Sequence, residues 1–179
     1  GVALAQTDAT WTRGAGTNSY RDQGNWSLGG GVPVNTPTTE YAVYVPNSQT
    51  VNFDVTSSAS EVSQFFLGTD ASFTVLSGRS FTITDWAEID GLVTVQNGTF
   101  IAPAGTSSFS GGNARLVVSN GAIVLPATAY ANNRQVHETI FSASGMGSVL
   151  NLSSLQSLTA AASNGGAYVK TITAASGGV

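Results

Sequence analysis

The chain has no cysteine among its 179 residues, which removes disulfides, thiol chemistry and cysteine-based zinc sites together. Charge is scarce. Charged residues make up 9% of the sequence, against about 25% in ordinary soluble domains, and Ser, Thr, Asn and Gly stand in their place. Lys170 is the only lysine, while Arg13, Arg21, Arg79, Arg115 and Arg134 are scattered singly in a chain of net charge −4. With no basic stripe to neutralise phosphates, the composition argues against a nucleic-acid partner. No run of about 18 apolar residues occurs, so no transmembrane helix is expected. Helical spacing is missing too: no segment keeps apolar residues at i, i+3, i+4 and i+7 over about ten positions. A turn or two around residues 127–134 is the best helical candidate.

Catalytic signatures are equally thin. His137 is the only histidine, and no Gly-x-Ser-x-Gly elbow presents a serine to it. Gly29-Gly30-Gly31 lacks the Gly-Lys-Ser/Thr ending of a phosphate loop. Ten carboxylates are spread along the chain, and only Asp85, Glu88 and Asp90 cluster. Such acids serve a glycosidase when two of them flank a sugar across a groove, ligate calcium through oxygens, or simply form a solvated turn. Neither the EF-hand spacing nor a Gly-Gly-x-Gly-x-Asp repeat accompanies them. The reading is a protein without cofactor or metal, and not an enzyme.

What is present is a repeat. Ser72-Phe73-Thr74-Val75-Leu76-Ser77-Gly78 returns as Leu92-Val93-Thr94-Val95-Gln96-Asn97-Gly98 and again as Leu116-Val117-Val118-Ser119-Asn120-Gly121. A Val-x-x-Gly mark recurring after about 20 residues in strand-rich sequence predicts a β-solenoid, whose rungs bury their apolar rows against one another. Alternation from Tyr41 to Val45 and from Thr50 to Val55 extends the pattern. Val75, Phe81, Ile83, Val93, Val95, Phe100, Leu116, Val118, Ile123 and Val124 are expected inside. The organisation predicted is one all-β domain: an N-terminal arm and loop-rich cap over 1–40, a parallel β-helix of about six coils over 41–175, and a projecting insertion over 127–138.

The first forty residues also carry a resemblance. Gly24-Asn25-Trp26-Ser27, followed by Gly30-Gly31-Val32-Pro33 and then by the coil phrase, resembles the opening of autotransporter-like bacterial secreted surface proteins. The resemblance implies a right-handed parallel β-helix, export, an extracellular or cell-surface location, and a role in adhesion or surface structure. It supplies no catalytic residue.

Two functions follow as expectations. The first is a non-enzymatic structural or adhesive rod with a cell-surface glycan or protein as partner. In it the apolar arm Val2, Ala3, Leu4 and Ala5 pairs with a neighbour's strand edge, giving a homo-oligomer or filament. Ala3-Leu4-Ala5 equally resembles the end of a secretory signal. The second is a carbohydrate-binding or polysaccharide-cleaving β-helix. Trp11, Trp26 and Tyr130 are its candidate glycan contacts, but covering the open first coil is the preferred role for the tryptophans.

Overall fold

A computed structural model gives the fold and describes residues 4–56, 60–102, 107–108, 114–160, 168–175 and 177. In chain order the strands are β1 (Ala5–Thr10), β2 (Thr39–Val45), β3 (Thr50–Phe53), β4 (Ser60–Leu67), β5 (Ser72–Val75), β6 (Ser80–Ile89), β7 (Leu92–Gln96) and β8 (Thr99–Ile101). They continue as β9 (Ser107–Ser108), β10 (Arg115–Ser119), β11 (Ala122–Val124), β12 (Ala129–Asn132), β13 (Glu138–Ser144), β14 (Val149–Asn151), β15 (Ser157–Ala160) and β16 (Lys170–Ala175). A 3-10 turn at Gln23–Asn25 is the one helical element among the described residues.

Every strand-to-strand ladder among the described residues is parallel, and the chain winds into a β-solenoid of about four turns. One face is a six-stranded sheet in the order β3, β5, β7, β10, β13, β16. β4 and β6 share a register shift, between Val62 and Gln64 on β4 and between Ile83 and Trp86 on β6, where each strand bends to serve two sides of the coil. Their first halves join β8, β11 and β14 on the second face. Their second halves join β2 and β9 on the third. Among the described residues, β12 pairs with β15 as a separate two-stranded sheet. The solenoid has about four turns, against the six coils that division of length by period predicts.

The interior rows follow from parallel register. Val75 lies opposite Val95 and Val95 opposite Val118, all three fully buried. A second row runs Val51, Phe73, Val93, Leu116, Phe141, Ile172. On the second face Phe81 stands over Phe100, and Phe100 over Ile123. Each side chain thus meets its like one rung away, which suits the β-branched and aromatic residues found there. Val124 departs from the expected list: it faces outward and is half-buried, while Leu125 beyond the strand turns in.

The recurring glycine has two physical origins. Gly78 adopts a left-handed φ of 72° in open space, a conformation that glycine accepts without penalty. At the same point of the next two rungs Asn97 and Asn120 take the left-handed conformation instead. Gly98 and Gly121 are there for close approach. A Cβ on Gly98 would lie 2.6 Å from the Arg79 carbonyl, and one on Gly121 would press on the carbonyl of Gly98.

Three expectations need correction. The ladder begins well before residue 41, because Ala5–Thr10 already pairs with Thr39–Tyr44 of β2. Residues 129–132 form a strand, not a helical turn. The 127–138 stretch does not project from the stack as a free insertion, since Tyr130 is 1% exposed and donates a hydrogen bond to the Ala114 carbonyl at 2.6 Å.

Candidate functional site

The rings expected to meet glycans are interior groups. Trp11 and Trp26 are 1% and 4% exposed and pack edge to face with centroids 5.0 Å apart. Trp26 Nε1 donates to the Tyr20 carbonyl at 2.7 Å, and the Tyr20 hydroxyl donates to the Pro33 carbonyl at 2.7 Å. Tyr20 in turn lies 4.9 Å from Phe53 on the first rung. Its segment also pairs with that rung's free edge, through Tyr20 N–H to Asn52 O and Asn52 N–H to Asn18 O. The aromatic loop is therefore a plug over the first coil. The Gly-Asn-Trp-Ser phrase builds it. Asn25, fully buried, donates to Thr17 and Ser19 and accepts from the Ala15 N–H, while Ser27 Oγ accepts from the Thr10 N–H.

Tyr130 is the third ring lost to the interior. Burial, opposed by the Asn132 hydrogen bond, pushes its hydroxyl up to about 12, and burial raises Tyr20 well above the usual tyrosine range. The sign of the consequence is fixed. An unfolded tyrosine releases its proton near pH 10, whereas the folded protein holds both protons tightly, so the unfolded state gains stability as pH climbs. Folding stability is expected to be full below about pH 10 and to fall toward pH 12 by up to about 1.4 kcal/mol per pH unit per tyrosine. Urea unfolding across that window measures it, and a Tyr130→Phe variant should show the shallower slope. A free energy that stays level from neutral to strongly alkaline pH would contradict the assignment.

The acidic cluster is divided by the fold. Asp85, beside the bend of β6, accepts a hydrogen bond from Gln64 Nε2 at 3.1 Å. Glu88 and Asp90 instead border a groove of about 190 Å³ on the third face, together with Tyr44, Val45, Pro46, Phe66, Leu67 and Gly68. The two acids are neighbours on one strand segment, an arrangement that does not place carboxylates on opposite sides of a sugar as glycosidic cleavage requires. Among the described residues no three His, Asp or Glu side chains gather as a metal site. His137 Nδ1 accepts the Val169 N–H at 3.0 Å, and its ring contacts Tyr168 edge-on. It belongs to a strand junction.

Of the assembly arm, Val2 and Ala3 lie outside the described residues, Leu4 is 40% exposed, and Ala5 is the first residue of β1.

Three features were not anticipated. The first is an outward aromatic row on the third face. Tyr44 and Phe66 stand opposite each other in register and stack at 4.4 Å and 12°, with Trp86 4.8 Å from Phe66. The second is a charge node at Glu138, whose carboxylate meets Lys170 Nζ at 2.7 Å, Arg134 Nε at 3.7 Å and Arg115 Nε at 3.8 Å. The third is the far end of the stack. There the row that buries Val51 and Phe73 finishes on Ile172, 61% exposed, beside an apolar cleft of about 230 Å³ lined by Phe141, Leu150, Leu155 and Leu158. Only the outward row carries a signal in the sequence, in bulky rings one period apart at positions that alternate with buried ones.

No family model matches the chain, and neither a curated protein nor a solved structure matches it.

Proposed function

We propose that this chain is a non-enzymatic structural or adhesive module of an extracellular or cell-surface assembly, joined to its neighbours through the uncovered end of the stack. The observation that carries the reading is the inequality of the two ends. One is plugged by Trp11, Tyr20 and Trp26, whereas the other leaves Leu158 44%, Val169 58% and Ile172 61% exposed. Exposed apolar groups beside an edge strand form a template for association. A low charge density, which weakens repulsion between copies, supports the same reading. The assembly surface thus moves from the expected Val2–Ala5 arm to β15 and β16. The carbohydrate alternative, by contrast, has lost Trp11, Trp26 and Tyr130 to the interior.

Light scattering coupled to gel filtration, with electron microscopy of the same samples, tests this. The wild-type chain is expected to associate as concentration rises, and a Leu158→Lys/Ile172→Lys double variant is expected to remain monomeric with an unchanged circular dichroism spectrum. A wild-type chain that stays monomeric at every concentration overturns it. Closed dimers would mean end-to-end contact between two open ends, and fibres a contact between unlike ends.

A further inference from the structure

We propose that Lys170 and Asn132 form an isopeptide cross-link, an amide bond between their side chains, with Glu138 moving the protons. This chemistry lies inside the last rungs and stands whether or not the chain assembles.

An amine, a carboxamide and a carboxylate meet at one point. Lys170 Nζ donates to Glu138 Oε1 at 2.7 Å, and Asn132 Nδ2 donates to the same oxygen at 3.1 Å. Register sets Lys170 beside Glu138 on the neighbouring strand, and Asn132 is the last residue of β12. Water is kept out, because Asn132 is fully buried and the Lys170 and Glu138 side chains are 5% and 9% exposed. An amine held beside an amide gains the high effective concentration of an intramolecular reaction. A dry site also protects the product from hydrolysis.

The step can be written so that it balances. Glu138 Oε1 takes one proton from the Lys170 ammonium. The two remaining hydrogens stay on the Arg134 and Val136 carbonyls, 2.9 and 3.0 Å away, so the freed lone pair faces the carboxylate side. Nζ then attacks Asn132 Cγ and the new N–C bond forms. Negative charge develops on Asn132 Oδ1, which already accepts the Arg134 N–H at 3.1 Å and is stabilised by it. Glu138 hands its proton to Nδ2 and takes a second one from Nζ. The Cγ–Nδ2 bond breaks, and ammonia leaves with that second proton as ammonium. Glu138 is regenerated, and no oxidant or co-reactant is consumed. With Lys170 neutral, Arg115 and Arg134 still compensate Glu138, their Nε atoms lying 3.8 and 3.7 Å from Oε2. The bond accumulates after folding, so the freshly folded chain carries the free ammonium.

Mass spectrometry of the full chain, sampled over days of incubation in the folded state, tests this. The wild-type chain is expected to lose the mass of one ammonia molecule. Trypsin should then fail to cut after Lys170, and the peptide ending at Arg134 should stay joined to the one containing Lys170. Chain held unfolded in urea should keep its full mass. Glu138→Gln should slow the linkage at least about 100-fold, and Lys170→Arg, which keeps the charge, should abolish it. Should Glu138→Gln fail to fold, the wild-type mass and the joined peptides decide alone. An unchanged wild-type mass, ammonia lost without joined peptides, or linkage at the wild-type rate in folded Glu138→Gln would each overturn the proposal.

Discussion

Replacing Glu138 with alanine is expected to cost about 3–5 kcal/mol, because it strands a buried cation. The Lys170 side chain is 5% exposed and donates to three oxygens: the Arg134 carbonyl at 2.9 Å, the Val136 carbonyl at 3.0 Å and Glu138 Oε1 at 2.7 Å. Without the carboxylate, its charge faces carbonyl dipoles alone. Arg115 and Arg134 lose a counter-ion at the same moment, and Asn132 loses the acceptor that its amide reaches at 3.1 Å. Lys170→Met should cost distinctly less, since Glu138 then keeps both arginines. This ordering separates a charge node from mere packing, which would penalise the two truncations alike. The node ties β13 to β16, so hydrogen exchange should show the loss first in β16. Denaturant unfolding gives the free energies, and a Glu138→Ala cost below about 1 kcal/mol would remove the node from the account.

Phe81→Ala is expected to be comparably severe, at about 3–5 kcal/mol, for an unrelated reason. Phe81 is fully buried at the centre of an aromatic pile, with Phe73 at 4.9 Å, Phe53 at 5.0 Å, Phe65 at 5.2 Å and Phe100 at 5.7 Å. A globular core can partly collapse around a lost ring. Here the strands above and below are held at ladder spacing by backbone hydrogen bonds, so the cavity persists and its wall loses contacts outright. Phe81→Leu keeps most of the volume and should recover the greater part of the loss. Because the pile joins neighbouring rungs, the alanine variant should lower the whole transition in guanidinium instead of fraying one end. A cost below about 1.5 kcal/mol would mean that the rungs can close the gap.

What the sequence discloses, and what it withholds, divides along the reach of the interaction. Val75, Val95 and Val118 could be placed in one interior row because a fixed period carries each residue onto its predecessor. The Tyr44–Phe66 stack obeys the same rule with outward residues, and it brings both rings to Glu88 in register. The acids of the groove were therefore visible as a local cluster, but not the aromatic wall one and two rungs away. Tyr130 misled because a ring in an irregular stretch has the same local appearance whether it seals a core or faces solvent, whereas Trp11 and Trp26 take the covering role that the loop-rich cap suggested. Residues 127–134 misled for a related reason: alanines with a single tyrosine suit a helical turn locally, yet pairing of β12 with β15 decides the matter. Glu138 and Lys170 come together through pairing of their strands, and no short-range pattern announces that.

The bent strands β4 and β6, and the ladders they join, run around the long axis of the stack and not along it. Tension between the two ends of the molecule would therefore open rungs one after another, like a zip, and would not shear many hydrogen bonds at once. Yielding would begin at the last, least covered rung and stall where the phenylalanines are piled. Such a body lengthens in steps under load and is mechanically soft along its axis even while its centre stays chemically stable.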